Sequence, residues 1–152
     1  MQFGIHPEDA PTRTQLRRWA SAALQGDTEV TLRLVDEVEG EALNDGFRGR
    51  HHATNVLTFA YSGQAPYHGD IALCAPVVSR EARTQRKSIE AHYAHLVVHG
   101  MLHLQGYDHQ TAREAAVMER LESRIVTGLG YPDPYGKDEG KRKDEGGRMK
   151  DE

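Results

Sequence analysis

From Ala91 to Tyr107 the chain carries no Asp, Glu, Lys or Arg, yet four histidines interrupt the apolar run, at positions 92, 95, 99 and 103. At a helical advance of roughly 100° per residue they fall inside a sector of about 80°, so a helix over Ser88–Gln105 gathers all four on a single polar face. Gly106 breaks that helix. A histidine pair at i and i+4 puts two imidazoles on adjacent turns, within reach of one metal ion, and His99 and His103 have this spacing. A third ligand has to come from outside the helix. The backbone freedom of Gly106 permits a sharp exit that swings His109 back over the face.

The segment HGMLHLQGYDH therefore reads H-x3-H-x2-G-x2-H, the three-histidine spacing of the metzincin zinc proteases. One position differs in a way that matters chemically. In H-E-x-x-H the Glu beside the first ligand is the general base for peptide hydrolysis, and here that position is Gly100. A peptidase of the standard kind is disfavoured, while three neutral imidazoles with an open coordination position still describe a catalytic zinc site. Such an ion acts as a Lewis acid on a phosphoryl oxygen or supplies hydroxide near neutral pH. His95 and His99 form a competing i, i+4 pair, without the matched glycine and third histidine. His92 and His95 read as supporting or cleft-lining residues of the same face. Asp108 orients a ligand, serves as a base or caps the next helix, and capping is the favoured reading. Cys74 reads as a buried strand residue rather than a fourth ligand, and His6, His51, His52 and His68 stand at ligand spacing with nothing.

Around this segment, 152 residues allow one domain. Helical spacing of Leu16, Trp19, Ala20 and Ala23 predicts a helix opened by Asp9 and Pro11 and ended by Gly26. Alternation of Val30, Leu32 and Leu34 with Glu29, Thr31 and Arg33 predicts a half-buried strand from Glu29 to about Asp36. A short helix is expected over residues 37–47. Asn55–Tyr61 and His68–Cys74 are β-prone and separated by a turn with Gly63 and Pro66, which predicts an adjacent antiparallel pair. Pro76 opens a helix through about Gln85. Thr111 and Glu114 form a capping-box pattern for a last helix to Thr127, striped by Ala115, Met118, Leu121, Ile125 and Leu129. The expectation is an α+β fold, a small mixed sheet packed against several helices with the metal site on a central helix. It occupies residues 1–135. The remainder, 136–152, holds six basic and six acidic side chains and almost nothing to bury, so a disordered charged tail is expected.

Bulk charge points to no nucleic-acid partner, since 19 Lys and Arg stand against 23 Asp and Glu. A local cluster of Arg80, Arg83, Arg86 and Lys87 precedes the histidine helix, and Arg48 and Arg50 extend it. One cysteine makes no internal disulfide, and the start MQFGIHPEDA has no basic segment followed by an apolar one. These features fit a reducing cytoplasm, and neither long uncharged stretch reads as a bilayer span.

The motifs together resemble those of the YbeY family, bacterial rRNA maturation factors described as single-strand-specific, metal-dependent endoribonucleases. HGMLHLQGYDH looks like the family signature. LNDGFRGRHHATNVLTF, from Leu43 to Phe59, resembles the family's LNxxYRxxDxPTNVLSF, and GDI (Gly69 to Ile71), MERLE and LGYPDPY extend the resemblance over residues 29–135. Departures are Phe47 for Tyr, His51 for Asp, Ala53 for Pro and Thr58 for Ser. The resemblance implies one zinc ion on His99, His103 and His109, with His99 and Arg48 serving catalysis. A guanidinium near zinc suits a phosphodiester, because it binds nonbridging oxygens and stabilises charge that grows in the transition state. The implied role is rRNA processing, at the 3′ end of small-subunit rRNA, and ribosome quality control in the cytoplasm. The implied partners are rRNA and the small subunit or its assembly factors, with neither DNA nor membrane. A non-catalytic assembly factor with structural zinc, or a metal-dependent hydrolase of another substrate such as a peptide, are the rival readings.

Overall fold

Two helix starts in this chain are fixed by reciprocal side-chain bonds. The structure, a computed structural model, describes residues 10–48 and 54–136, with 45–48 described by backbone alone. Among these residues the order is α1 (Arg13–Ala22), β1 (Thr28–Val35), α2 (Glu37–Arg48), β2 (Val56–Ala60), β3 (Tyr67–Cys74), α3 (Ala75–Gln85), α4 (Ile89–Leu104) and α5 (Ala112–Gly128). Thr12 caps α1: its hydroxyl accepts from the Gln15 amide at 3.0 Å, and the Gln15 side chain accepts from the Thr12 amide at 2.8 Å. The helix accordingly begins at Arg13, later than Asp9 and Pro11 suggest, because Thr12 and Gln15 satisfy two otherwise orphan donors. Thr111 and Glu114 build the same box at the head of α5, as their spacing predicts.

The sheet has the order β1-β3-β2, with β1 parallel and β2 antiparallel to β3. The antiparallel pair is the one expected from the β2–β3 turn. Alternate residues of the central strand face opposite layers. Ile71 and Leu73 join Leu34, Trp19 and most of α4 in the main core, while Ala72 and Cys74 join Val35, Leu57, Val77 and Leu43 of α2 in a smaller one. Gly69 is required by a close approach: a Cβ there would stand 2.5 Å from the Phe59 carbonyl oxygen and 2.2 Å from a Leu104 methyl.

Helix α4 packs against α1, α3, α5, β2 and β3 and buries residues on every side, from Ala91 to Leu104. A helix that is apolar nearly all round belongs in a protein's centre. Its C-terminal end is tied to the start of β1 by buried Gln105, whose amide nitrogen donates to the carbonyls of Ala23 (2.9 Å) and Met101 (2.8 Å). Its oxygen accepts from the Gln25 amide at 2.7 Å. The structure is thus the α+β fold expected, with the histidine helix at its centre.

Candidate metal centre

Beyond Leu104 the chain turns sharply. Gly106 has a φ of +104°, the Tyr107 amide donates to the Leu102 carbonyl at 3.1 Å, and the Gly106 amide donates to His103 at 3.0 Å. This glycine-dependent C-cap closes the helix and sends the chain back along its polar face. His109 arrives beside His99 and His103, with ring centroids 5.6 Å and 6.0 Å away, while His99 and His103 are 6.5 Å apart. The three rings line one cleft of about 530 Å³, whose other walls are Asn44 of α2, Thr54 to Val56 at the entry of β2, Thr58, Asp108 and Gln110.

The protonation pattern of two rings follows from their partners. His103 Nδ1 donates to the Tyr107 carbonyl at 3.0 Å, and His99 Nδ1 donates to Glu122 Oε2 at 2.7 Å. A carbonyl and an ionised carboxylate only accept, so each ring carries a proton on Nδ1, and in the neutral imidazole the lone pair is then on Nε2. Glu122 is ionised at neutral pH. Its burial pushes the carboxyl up, but hydrogen bonds from His95, His99 and Tyr135 outweigh this and bring it from 4.5 down to about 2.

Imidazole nitrogens are donors that a borderline-soft divalent ion takes, and Nδ1 of His99 and of His103 is held by a partner, which leaves Nε2 as the donor atom, so the trio fits a zinc site. Among the described residues no three His, Cys, Asp or Glu are drawn in to coordination distance. Three imidazoles sharing one ion at about 2.0–2.1 Å would bring their centroids to roughly 5 Å, and the present trio stands wider than that.

Position 100 has a packing explanation. A Cβ on Gly100 would lie 3.1 Å and 3.3 Å from Ile71 and 3.3 Å from the Thr58 hydroxyl, so α4 lies flush on the sheet there. A side chain at the place where a metzincin carries its glutamate would press on Ile71 and Thr58, which would have to give by a few tenths of an ångström.

The remaining histidines are set apart from the trio. His95 Nε2 donates to Glu122 Oε1 at 2.8 Å, and the residue does not line the cleft, so the structure does not gather the competing His95–His99 pair with a third ligand. His92 Nε2 donates to Glu81 Oε1 at 2.9 Å, and the same oxygen accepts from Asn55 Nδ2 at 2.9 Å. His92 thereby supports the cleft wall at the entry of β2 without reaching the cleft. His68 is exposed and pairs with Glu29. Cys74 is buried at the start of α3, where burial raises its thiol pKa. Asp108 lines the cleft and accepts from the His109 amide at 2.7 Å; Thr111 caps α5 instead. Arg80 is paired with Glu37 at 2.9 Å, so one charge of the basic cluster is already committed. Arg48 ends α2 one turn beyond Asn44 of the cleft wall, and its side chain lies outside the described residues. His6, Arg50, His51, His52 and residues 137–152 also lie outside them.

Sequence reasoning missed Glu122 and Tyr135. Yet Glu122 left a signal: it falls four residues from both Met118 and Val126, the other two side chains that α5 buries, and an acid on that stripe has to find donors.

Residues 8–130 match the family model described as Endoribonuclease YbeY. The chain is similar to proteins named Endoribonuclease YbeY from Nitrosomonas eutropha, 56% identical over 89% of this chain and 96% of the relative. Another comes from Aromatoleum aromaticum, 58% identical over 83% and 82%. It is also similar to the solution structure of TM1509 from Thermotoga maritima, with a TM-score of 0.52 and 27% identity over 82% of this chain and 89% of that one.

Proposed function

The chain belongs to the endoribonuclease YbeY family and is an endoribonuclease, and on that premise we propose that it is a zinc-dependent enzyme cutting single-stranded RNA in rRNA processing. The observation that carries this reading is the meeting of His99, His103 and His109 on one polar cleft, with Nε2 of the first two left as lone pairs. A zinc ion held by these three supplies Lewis acidity toward a phosphodiester oxygen.

The chain's own groups do the rest. Asn44, Thr54, Asn55 and Thr58 give the cleft a neutral hydrogen-bonding wall opposite the histidines, suited to ribose hydroxyls and phosphate oxygens. Arg48, at the end of the helix that carries Asn44, is the residue proposed to stabilise charge on the scissile phosphate. Gly100 supports RNA over peptide as substrate, because the chain carries no carboxylate where a metzincin has its peptidase base. Maturation of the 3′ end of small-subunit rRNA, ribosome quality control, a cytoplasmic setting and rRNA or small-subunit partners are proposed with it. No helix among the described residues is long and apolar enough to cross a membrane.

Elemental analysis of the purified protein, with cleavage assays on single-stranded RNA, duplex RNA and casein by wild type and His103→Ala, tests the reading. One zinc per chain, cleavage of single strands alone and loss of both zinc and cleavage in the variant are expected. Undiminished cleavage by His103→Ala, or hydrolysis of casein, would overturn it.

A further inference from the structure

Glu122 is fully buried, yet it sits on the helix behind the histidines and not in the cleft. Burying an ionised carboxylate is costly unless its lone pairs are taken up. Here each oxygen has a separate duty. Oε2 accepts from His99 Nδ1 at 2.7 Å, while Oε1 accepts from His95 Nε2 at 2.8 Å and from the Tyr135 hydroxyl at 2.6 Å. Rotating the carboxylate away from His99 would break the two bonds at the other oxygen, so the group is anchored from behind.

We propose that Glu122 is a positioning residue, reaching across from α5 to hold His99 with its proton on Nδ1 and its Nε2 lone pair presented to the cleft, and so setting how tightly the site holds its metal. The proposal rests on the metal-site reading given above. His103 has a neutral backbone carbonyl as its corresponding partner, so His99 is the ligand whose basicity a charge raises. His95 gains a role as well: with Tyr135 it fixes the carboxylate and itself stays out of the cleft.

The tautomer is read first, on the full-length, metal-free protein labelled with ¹⁵N at histidine, from long-range ¹H–¹⁵N couplings. Protonation of His99 on Nδ1 is expected; protonation on Nε2 would overturn the proposal without any variant. Zinc affinity is then measured by competition with a chromophoric chelator. Glu122→Leu should weaken zinc about 10- to 100-fold at unchanged stoichiometry, and Glu122→Gln should recover part, since its carbonyl oxygen still accepts one bond. Tyr135→Phe, which leaves the carboxylate on His99, should bind nearly as wild type does. Wild-type affinity in Glu122→Leu would overturn the proposal. A wild-type protein that takes up no zinc would sink the metal-site reading and the affinity half together, while the His99 tautomer still decides the positioning half. If Glu122→Leu does not fold, the wild-type tautomer decides alone.

Discussion

Gly100 and Arg48 show how much of the chemistry can turn on one side chain. At position 100 the absence of a side chain lets the helix lie close against Ile71 and Thr58, and the same absence removes the base a peptidase requires. Close packing and the missing base thus meet at one residue. Arg48 is the opposite case: a spacing argument alone does not select it over Arg50, and the resemblance of its segment does. If it contacts the scissile phosphate, its charge matters to the transition state more than to folding or zinc binding. Arg48→Ala should keep its zinc and melting temperature and lose about 10²- to 10³-fold in cleavage rate. Arg48→Lys should recover only part, because an ammonium keeps the charge and not the two-pronged geometry. Zinc content, melting and cleavage measured on both variants separate the cases: lost zinc or fold makes the residue structural, and normal cleavage makes it a bystander.

At the scale of elements, the histidine helix was legible because its chemistry and its periodicity coincide. Ser88 caps it, Gly106 ends it, and four histidines share one face. The strand alternation of residues 29–34 and the capping box at Thr111 were legible for the same reason, since each is a local pattern with a local cause. The support behind the site was not. Glu122 reaches His99 from 23 residues away and Glu81 reaches His92 from 11, and such pairings depend on how helices pack, which no short window of sequence displays. His92 offers a test of that packing. Its burial lowers its pKa below 6.5, against the raising effect of the Glu81 bond, with Lys87 and His95 the other charged or titratable neighbours. As pH falls through 6.5 the unfolded chain takes up a proton that the buried ring resists, so the unfolded state binds more protons and stability falls toward acid. Urea unfolding of metal-free wild type and His92→Gln between about pH 7.5 and 5.5 should therefore diverge in slope, by at most about 1.4 kcal/mol per pH unit. Parallel curves would mean that His92 titrates alike in both states.

For the whole molecule the question is where the working fold stops. After α5 the chain runs back over three helices. The Leu129 carbonyl accepts from Arg18 of α1 at 3.0 Å, and the Tyr131 hydroxyl accepts from buried Trp19 at 3.2 Å and donates to Glu90 of α4. Ser123 of α5 donates to Asp133 at 2.6 Å, and Tyr135 then reaches Glu122. This segment is structural, because it ties down exposed Arg18 and Glu90 and gives partners to buried Trp19 and Glu122. Residues 137–152 hold six basic and six acidic side chains, three glycines and Met149, which offer the domain no apolar face. Two truncations two residues apart should thus behave differently. A chain stopped after Gly136 should match full length in thermal midpoint and zinc affinity. One stopped after Pro134 loses the tyrosine hydroxyl from an ionised, buried carboxylate, a bond worth about 1.5–3 kcal/mol. Its midpoint should drop by roughly 5 °C or more. Equal midpoints for the two would show that Tyr135 holds nothing in place, and a large drop already at Gly136 would show that the charged tail docks on the domain.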